Sequence, residues 1–330
     1  MTVDSSRNRR RTLKLLKGTA CSLVVIFLCW QVWRVRDGLG DSVSSVGWSA
    51  IGVATGFTVI AQLPSFLAWR LLVAGTGVRL TLSDAAWIFF MSGATRYLPG
   101  AIWPAVTQAA LGRKIGASAA KLMATGLATV VLTALSGGLV GLLAVPRLAA
   151  DDPTWWLMLP VLLSAAAFML APRLLGRLFA LGQRLLRQGE QEIALPARRT
   201  SMGMIALSVL AWCCNGMHAA IIAIALGAPV MSAVTLGVGG FTLSAVAGAL
   251  SLTPAGIGVR EVVLGLTLGV LLTGPNLVTL LLLSRVLTTL GHVGVTLGVL
   301  GLLAGNRLTK RRQSSEEQRM EESPDALSAS

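Results

Sequence analysis

Along most of this chain the apolar residues run on without alternating with polar ones, and the runs are long. They fall at about 14–35, 47–72, 118–145, 154–172, 201–226, 233–253, 257–273 and 277–304. All but the short seventh supply the roughly twenty apolar residues that a helix needs to cross hydrocarbon. Lipid-facing barrel strands would instead alternate over about ten residues, so the pattern predicts helices. The expected fold class is an all-α polytopic membrane protein with about 6–8 transmembrane helices.

Two stretches interrupt this pattern in related ways: Arg96-Tyr97-Leu98-Pro99-Gly100, and Pro254-Ala255-Gly256-Ile257-Gly258-Val259-Arg260-Glu261. Each sets a helix breaker and a cation inside apolar sequence. Segment 80–115 is moderately apolar but lies between Arg79 and the pair Arg113-Lys114, so it is expected to enter and return on one side. With Pro99-Gly100 at its centre, a re-entrant helical hairpin follows, because proline removes a backbone donor and glycine permits the turn. The second breaker leaves two readings open. Segments 233–253 and 257–273 either both cross, or form a hairpin whose tip is Pro254–Gly258. The hairpin reading gives six crossings and two oppositely entered hairpins, as an inverted repeat would.

Charge sets the orientation. The N-terminal arm, the 173–199 loop (Arg173, Arg177, Arg184, Arg187, Arg198, Arg199) and the tail (Arg307, Lys310, Arg311, Arg312) fall on one side. The opposite loops hold Arg34, Arg36 and Arg147, offset by Asp37, Asp41, Asp151 and Asp152. Cation-rich loops stay in the cytoplasm, so both termini are expected there, and the first helix is expected to be retained, not cleaved. The expected organisation is a basic arm at 1–13, a membrane domain at 14–305 and a disordered tail at 306–330 whose acidic, Ser-rich sequence has no apolar face to bury.

Composition agrees: 54% of the 330 residues are hydrophobic and 13% charged. The net charge of +14 could suggest nucleic acid, but the cations gather beside apolar segments and no nucleic-acid partner is expected. Cys21, Cys29, Cys213 and Cys214 lack metal-like spacing, so neither metal nor other cofactor is expected.

The ionisable residues in or near the embedded part are Asp84, Arg96, His218, Arg260, Glu261, Arg285 and His292. Two acids in different halves do not make a hydrolytic pair, and no nucleophile elbow, H-E-x-x-H or Walker loop is present. The chain is therefore not expected to be an enzyme. Three arginines against two acids leave positive charge that an anion should compensate, and guanidinium suits phosphate. The competing arrangement pairs Arg260 and Arg285 with Glu261 and Asp84 and lets Arg96 reach the interface. Asp84 is a proton-coupling candidate, although Thr81-Leu82-Ser83-Asp84 also reads as a helix start. His218 and His292, lone histidines on apolar helices, are expected to hydrogen-bond neighbouring helices.

The stretch Arg96-Tyr97-Leu98-Pro99-Gly100-Ala101-Ile102-Trp103-Pro104, the Gly112-Arg113-Lys114-Ile115-Gly116 that follows, and Thr253 through Glu261 resemble the paired signatures of the lysylphosphatidylglycerol synthase transmembrane family, also called the flippase-like domain family. The resemblance covers roughly 12–305. It implies a bacterial inner-membrane domain with re-entrant helices that, in the best understood relatives, moves aminoacylated phosphatidylglycerol between leaflets. Other relatives are associated with isoprenoid, hopanoid or glycolipid pathways. Nothing after residue 305 resembles the soluble aminoacyl-transfer domain, so lipid synthesis is not expected of this chain. Pro99, Gly100, Pro254, Gly256, Gly258, Arg260 and Glu261 match the motifs. A headgroup role for Arg96 and Arg285 follows from charge and position.

The expected function is translocation of an anionic phospholipid or a polyprenyl-phosphate-linked lipid. Arg96 and Arg260 would hold the phosphate, and Glu261 would orient Arg260 or meet a cationic substituent. The alternative is a non-transporting membrane partner that presents lipid to a separate glycosyltransferase or other lipid-modifying enzyme.

Overall fold

The computed structural model describes residues 44–98, 101–160, 163, 198–251 and 253–322. The expected spans at 14–35 and, for the most part, 154–172 lie outside the described residues, as do Pro99, Gly100 and most of the basic 173–199 loop. Among the described residues every regular element is helical. The elements are α1 (Trp48–Ile60), α2 (Gln62–Gly75), α3 (Leu82–Gly93), α4 (Trp103–Lys114), α5 (Ala119–Gly141), α6 (Val145–Asp151), α7 (Arg198–Ala225), α8 (Val230–Leu250), α9 (Val259–Leu268) and α10 (Gly274–Glu322).

Among the described residues five stretches are long and apolar enough to cross a membrane: Trp48–Gly75, Ala119–Gly141, Arg199–Ala225, Val230–Leu250 and Gly274–Gly305. This is a multi-pass membrane protein. The first stretch joins α1 and α2 through a bend at Ala61, three residues before Pro64. Proline withholds a donor from the carbonyl four residues back and crowds it, so the helix bends there without ending. Hydroxyls in these helices bond to their own turns, as Thr125 Oγ1 to Lys121 O at 2.8 Å and Thr288 Oγ1 to Ser284 O at 2.7 Å. Serine and threonine are thereby tolerated where no water can satisfy them.

Helix α7 is central and packs against α1, α2, α5, α8 and α10. Lipid offers no hydrophobic gain for joining helices, so close approach through small residues does this work. Gly137 and Gly141, four apart on α5, are used this way: a Cβ on either would come within 2.5 Å of Val246 or Leu243 of α8. A Cβ on Gly294 or Gly298 would meet nothing within 4 Å.

The two ends of the bundle differ in charge. At one end Arg79 precedes α3, Arg113 and Lys114 close α4, Lys121 opens α5 and Arg199 opens α7. Leu72 and Met204 share one buried cluster and Val78 and Val299 both pack against another, which holds these termini together. Val46, Ala144, Leu148, Ala228 and Leu272 cluster at the opposite end, where Arg147 pairs with Asp151.

Segment 82–114 forms the expected hairpin. Helices α3 and α4 have 12 residues each, about 18 Å, which is too short to cross, and they pack together and enter from the basic end. The reading of 257–273 as a crossing is corrected: α9 has 10 residues, about 15 Å. It folds back on α8 as the second arm of a hairpin entered from the other end. Turn bonds from Leu271 N and Leu272 N to Leu268 O end α9 early, and Gly274 at φ 55° starts α10. Helix α10 continues to Glu322, into the segment expected as the tail. Its Arg, Lys, Gln, Glu and Met residues are strong helix formers, and no proline interrupts them before residue 324.

This arrangement puts residues 115 and 230 at opposite ends of the bundle. In a background with the four native cysteines replaced by serine, Ile115→Cys and Val230→Cys should react with a membrane-impermeant maleimide from opposite faces of sealed vesicles. Labelling of both from one face would rule out the described topology.

Candidate functional site

The two hairpin tips touch inside the bundle. Their depth can be read from α10, which passes both. Arg285 lies 11 residues beyond Gly274, about 16 Å along the axis, and His292 lies 13 residues before Gly305, about 20 Å.

At the first tip α3 tightens into a 3-10 turn, Ala94–Tyr97, and Leu98 is extended, as a residue before proline is sterically pressed to be. Leu98 N donates to Thr95 O at 3.1 Å, which keeps that turn closed. Arg96 lies on the turn. Its Nε donates to Gly93 O at 2.9 Å and its Nη1 donates to His292 Nε2 at 2.8 Å. Guanidinium nitrogens only donate, so His292 accepts at Nε2 and is the neutral tautomer protonated at Nδ1.

The second tip is more contorted. Ala255 has φ 52° and ψ 21°, a left-handed conformation that costs an L residue about 1–2 kcal/mol. Its carbonyl accepts from Arg285 Nη2 at 3.0 Å. Gly256 follows at φ 70°, and a Cβ there would fall 2.6 Å from Gly248 Cα in α8, so only glycine lets tip and helix come this close. Gly258 caps α9, and its N–H donates to Glu261 Oε2 at 2.7 Å. The other carboxylate oxygen, Oε1, lies 3.0 Å from Arg285 Nε. Arg285 thus ties α10 to the tip at two points, and Glu261 has both oxygens engaged.

A cavity of about 350 Å³ lies between the tips. Arg96, Tyr97, Gly256, Arg260, Arg285 and His292 line it, with Gln62, Gln108, Asn215 and Thr288 on its polar walls. Gln108 is held by Trp69 Nε1, which donates to its Oε1 at 3.1 Å. Arg260 Cζ lies 4.7 Å from the centre of the Phe241 ring. Among the described residues Arg260 has no hydrogen-bond or ion-pair partner, and Arg96 has no carboxylate partner. Asn215 Oδ1 is buried with no donor. The arrangement suits an anion: two guanidiniums with unused donors, approached by backbone at two broken helices.

The structure brings Arg96, Gly256, Arg260 and Arg285 to one cavity, with Pro254 in the turn, and Gly258 and Glu261 supporting it. Two expectations are corrected. Glu261 orients Arg285, not Arg260, because the first turn of α9 aims its carboxylate at α10. Asp84 does not reach the cavity. It sits at the far end of α3, where its N–H donates to Thr81 Oγ1 and its Oδ2 accepts from the same hydroxyl at 2.7 Å, as a helix start requires. His218 bonds a neighbouring helix as expected, through Nε2 to Ser284 Oγ at 2.8 Å, while Nδ1 faces Asn215 O. Sequence reasoning missed Phe241, Gln62, Gln108 and Asn215, and did not connect His292 with Arg96. Polar residues recurring on otherwise apolar helices are the one signal that could have pointed to the glutamines and Asn215.

Because Arg285 and Glu261 are mutual partners, Glu261→Gln alone should destabilise the protein by about 3 kcal/mol by leaving a guanidinium unpaired. Combining it with Arg285→Met should recover part of that loss in detergent thermal unfolding. Strict additivity of the two changes would show that the pair does not act as a unit.

The description "lysylphosphatidylglycerol synthase TM region" belongs to a family model that matches residues 16–296. No curated protein and no solved structure shows significant similarity to the chain. The matched region takes in both interrupted segments and the cavity between them, and the chain belongs to the lysylphosphatidylglycerol synthase transmembrane-region family.

Proposed function

We propose that this protein is a lipid translocase that moves an anionic phospholipid or a polyprenyl-phosphate-linked lipid between leaflets. In this reading it lies in a bacterial inner membrane with both termini in the cytoplasm, and the basic end of the bundle faces inward. The observation that carries the reading is the cavity between two opposed broken-helix tips, holding Arg96 and Arg260 with no carboxylate among the described residues to neutralise either.

An uncompensated guanidinium inside a membrane is costly, and a substrate phosphate removes that cost while bound. Arg260 offers all five of its N–H donors, and the ring of Phe241 holds it without consuming any of them. Arg96 contributes the donors left over from Gly93 and His292. The acyl or prenyl chains stay in lipid while the headgroup crosses at the tips. No bond is made or broken in this scheme, and Glu261, the carboxylate next to the cavity, is already committed to Arg285 and the Gly258 amide.

Arg260→Ala should abolish translocation of a fluorescent anionic phospholipid in proteoliposomes, read by quencher protection, while expression and elution volume stay as in the wild type. Normal translocation by the well-folded variant would remove Arg260 from the substrate path. Failure of the wild type to move any lipid, with a lipid-modifying enzyme co-purifying, would favour the lipid-presenting role instead.

A further inference from the structure

We infer that the headgroup carries two negative charges on phosphate, as a phosphomonoester or a diphosphate, and bears no amino group. The inference rests on the translocase reading and narrows its substrate.

The charge balance of the cavity carries the argument. Arg285 is neutralised by Glu261, whose Oε1 lies 3.0 Å from its Nε. His292 is neutral, since its Nε2 accepts from Arg96. That leaves Arg96 and Arg260 as two cations with no opposite charge among the described residues. A phosphodiester brings one negative charge and would leave one of them uncompensated inside the membrane. A phosphomonoester near neutral pH brings between one and a half and two, roughly, and a diphosphate two or more. Each also brings enough oxygens for two guanidinium forks to bind at once.

An aminoacylated headgroup is opposed by the same residues. Its ammonium would need a carboxylate, and Glu261 has none to spare: Oε2 accepts from the Gly258 amide at 2.7 Å while Oε1 holds Arg285. The ring of Phe241, one natural seat for a cation here, is covered by Arg260. An ammonium would also sit beside two uncancelled guanidiniums, a like-charge contact that selects against it.

The test is native mass spectrometry of the full chain in neutral detergent, titrated with phosphatidic acid, farnesyl diphosphate, phosphatidylglycerol, lysyl-phosphatidylglycerol and inorganic pyrophosphate. Phosphatidic acid and farnesyl diphosphate should bind about tenfold or more tighter than phosphatidylglycerol, with the lysyl lipid weakest. Arg260→Gln, checked for wild-type thermal unfolding, should bring phosphatidic acid down to the level of phosphatidylglycerol. The lipid series on the wild type decides the matter even where that variant folds poorly.

Equal or tighter binding of phosphatidylglycerol or its lysyl ester would overturn the two-charge assignment. Translocation of either in proteoliposomes would then leave the translocase reading standing. Pyrophosphate binding as tightly as farnesyl diphosphate would keep the dianion chemistry and assign it to a water-soluble ligand, against a lipid substrate. Binding of none of these probes would end both readings.

Discussion

A helix that stops inside hydrocarbon strands polar backbone groups that water cannot reach, and this constraint organises the centre of the molecule. At the first tip the groups are met by short-range bonds: Leu98 N to Thr95 O, and Gly93 O from the Arg96 side chain. At the second, Arg285 supplies a donor to Ala255 O and Glu261 supplies an acceptor to Gly258 N. Arg285 and Glu261 then satisfy each other. Charged side chains are therefore present at membrane depth first because broken backbone requires them. Arg260 is the exception, a cation with no such duty among the described residues, and that is what singles it out.

The same constraint explains why the tips meet. Each hairpin brings its own unsatisfied polarity from one end of the bundle, and bringing the two together confines that polarity to one cavity among the surrounding spans. Trp69 and Phe66 of α2 pack against Phe89 and Phe90 of the first hairpin, and Phe241 lies under Arg260 beside the second. Glycine permits a close contact between tip and helix, Gly256 against Gly248, where two backbones replace what would otherwise be a layer of side chains.

How much of this could be read beforehand depended on range. The first hairpin was legible because Pro99-Gly100 lies midway between cations that belong on one side, a relation within one short segment. Breaker chemistry also located the second tip, but charge counting could not separate two crossings from a hairpin, since both leave the chain on the same side. Ten residues of α9 decide between them. The pairing of the charges was not legible. Arg96 finds His292 from 196 positions away, and Arg285 reaches back to Ala255 across 30. Those contacts depend on how helices rotate and cross, which local pattern does not encode. Asp84 was legible for the opposite reason: Thr81-Leu82-Ser83-Asp84 reads as a helix start, and its Thr81 partner stands three residues before it.

The left-handed Ala255 gives the second tip the character of a sprung catch. Its peptide is held out of its preferred basin by the Arg285 guanidinium at the carbonyl and by the Gly256 N–H bond to Thr253 O, and that guanidinium belongs to a residue lining the cavity. An anion that draws Arg285 toward itself competes with the carbonyl for the same donor. Once released, Ala255 has a downhill path to ordinary backbone angles, so occupancy of the cavity and the shape of its wall become two readings of a single equilibrium.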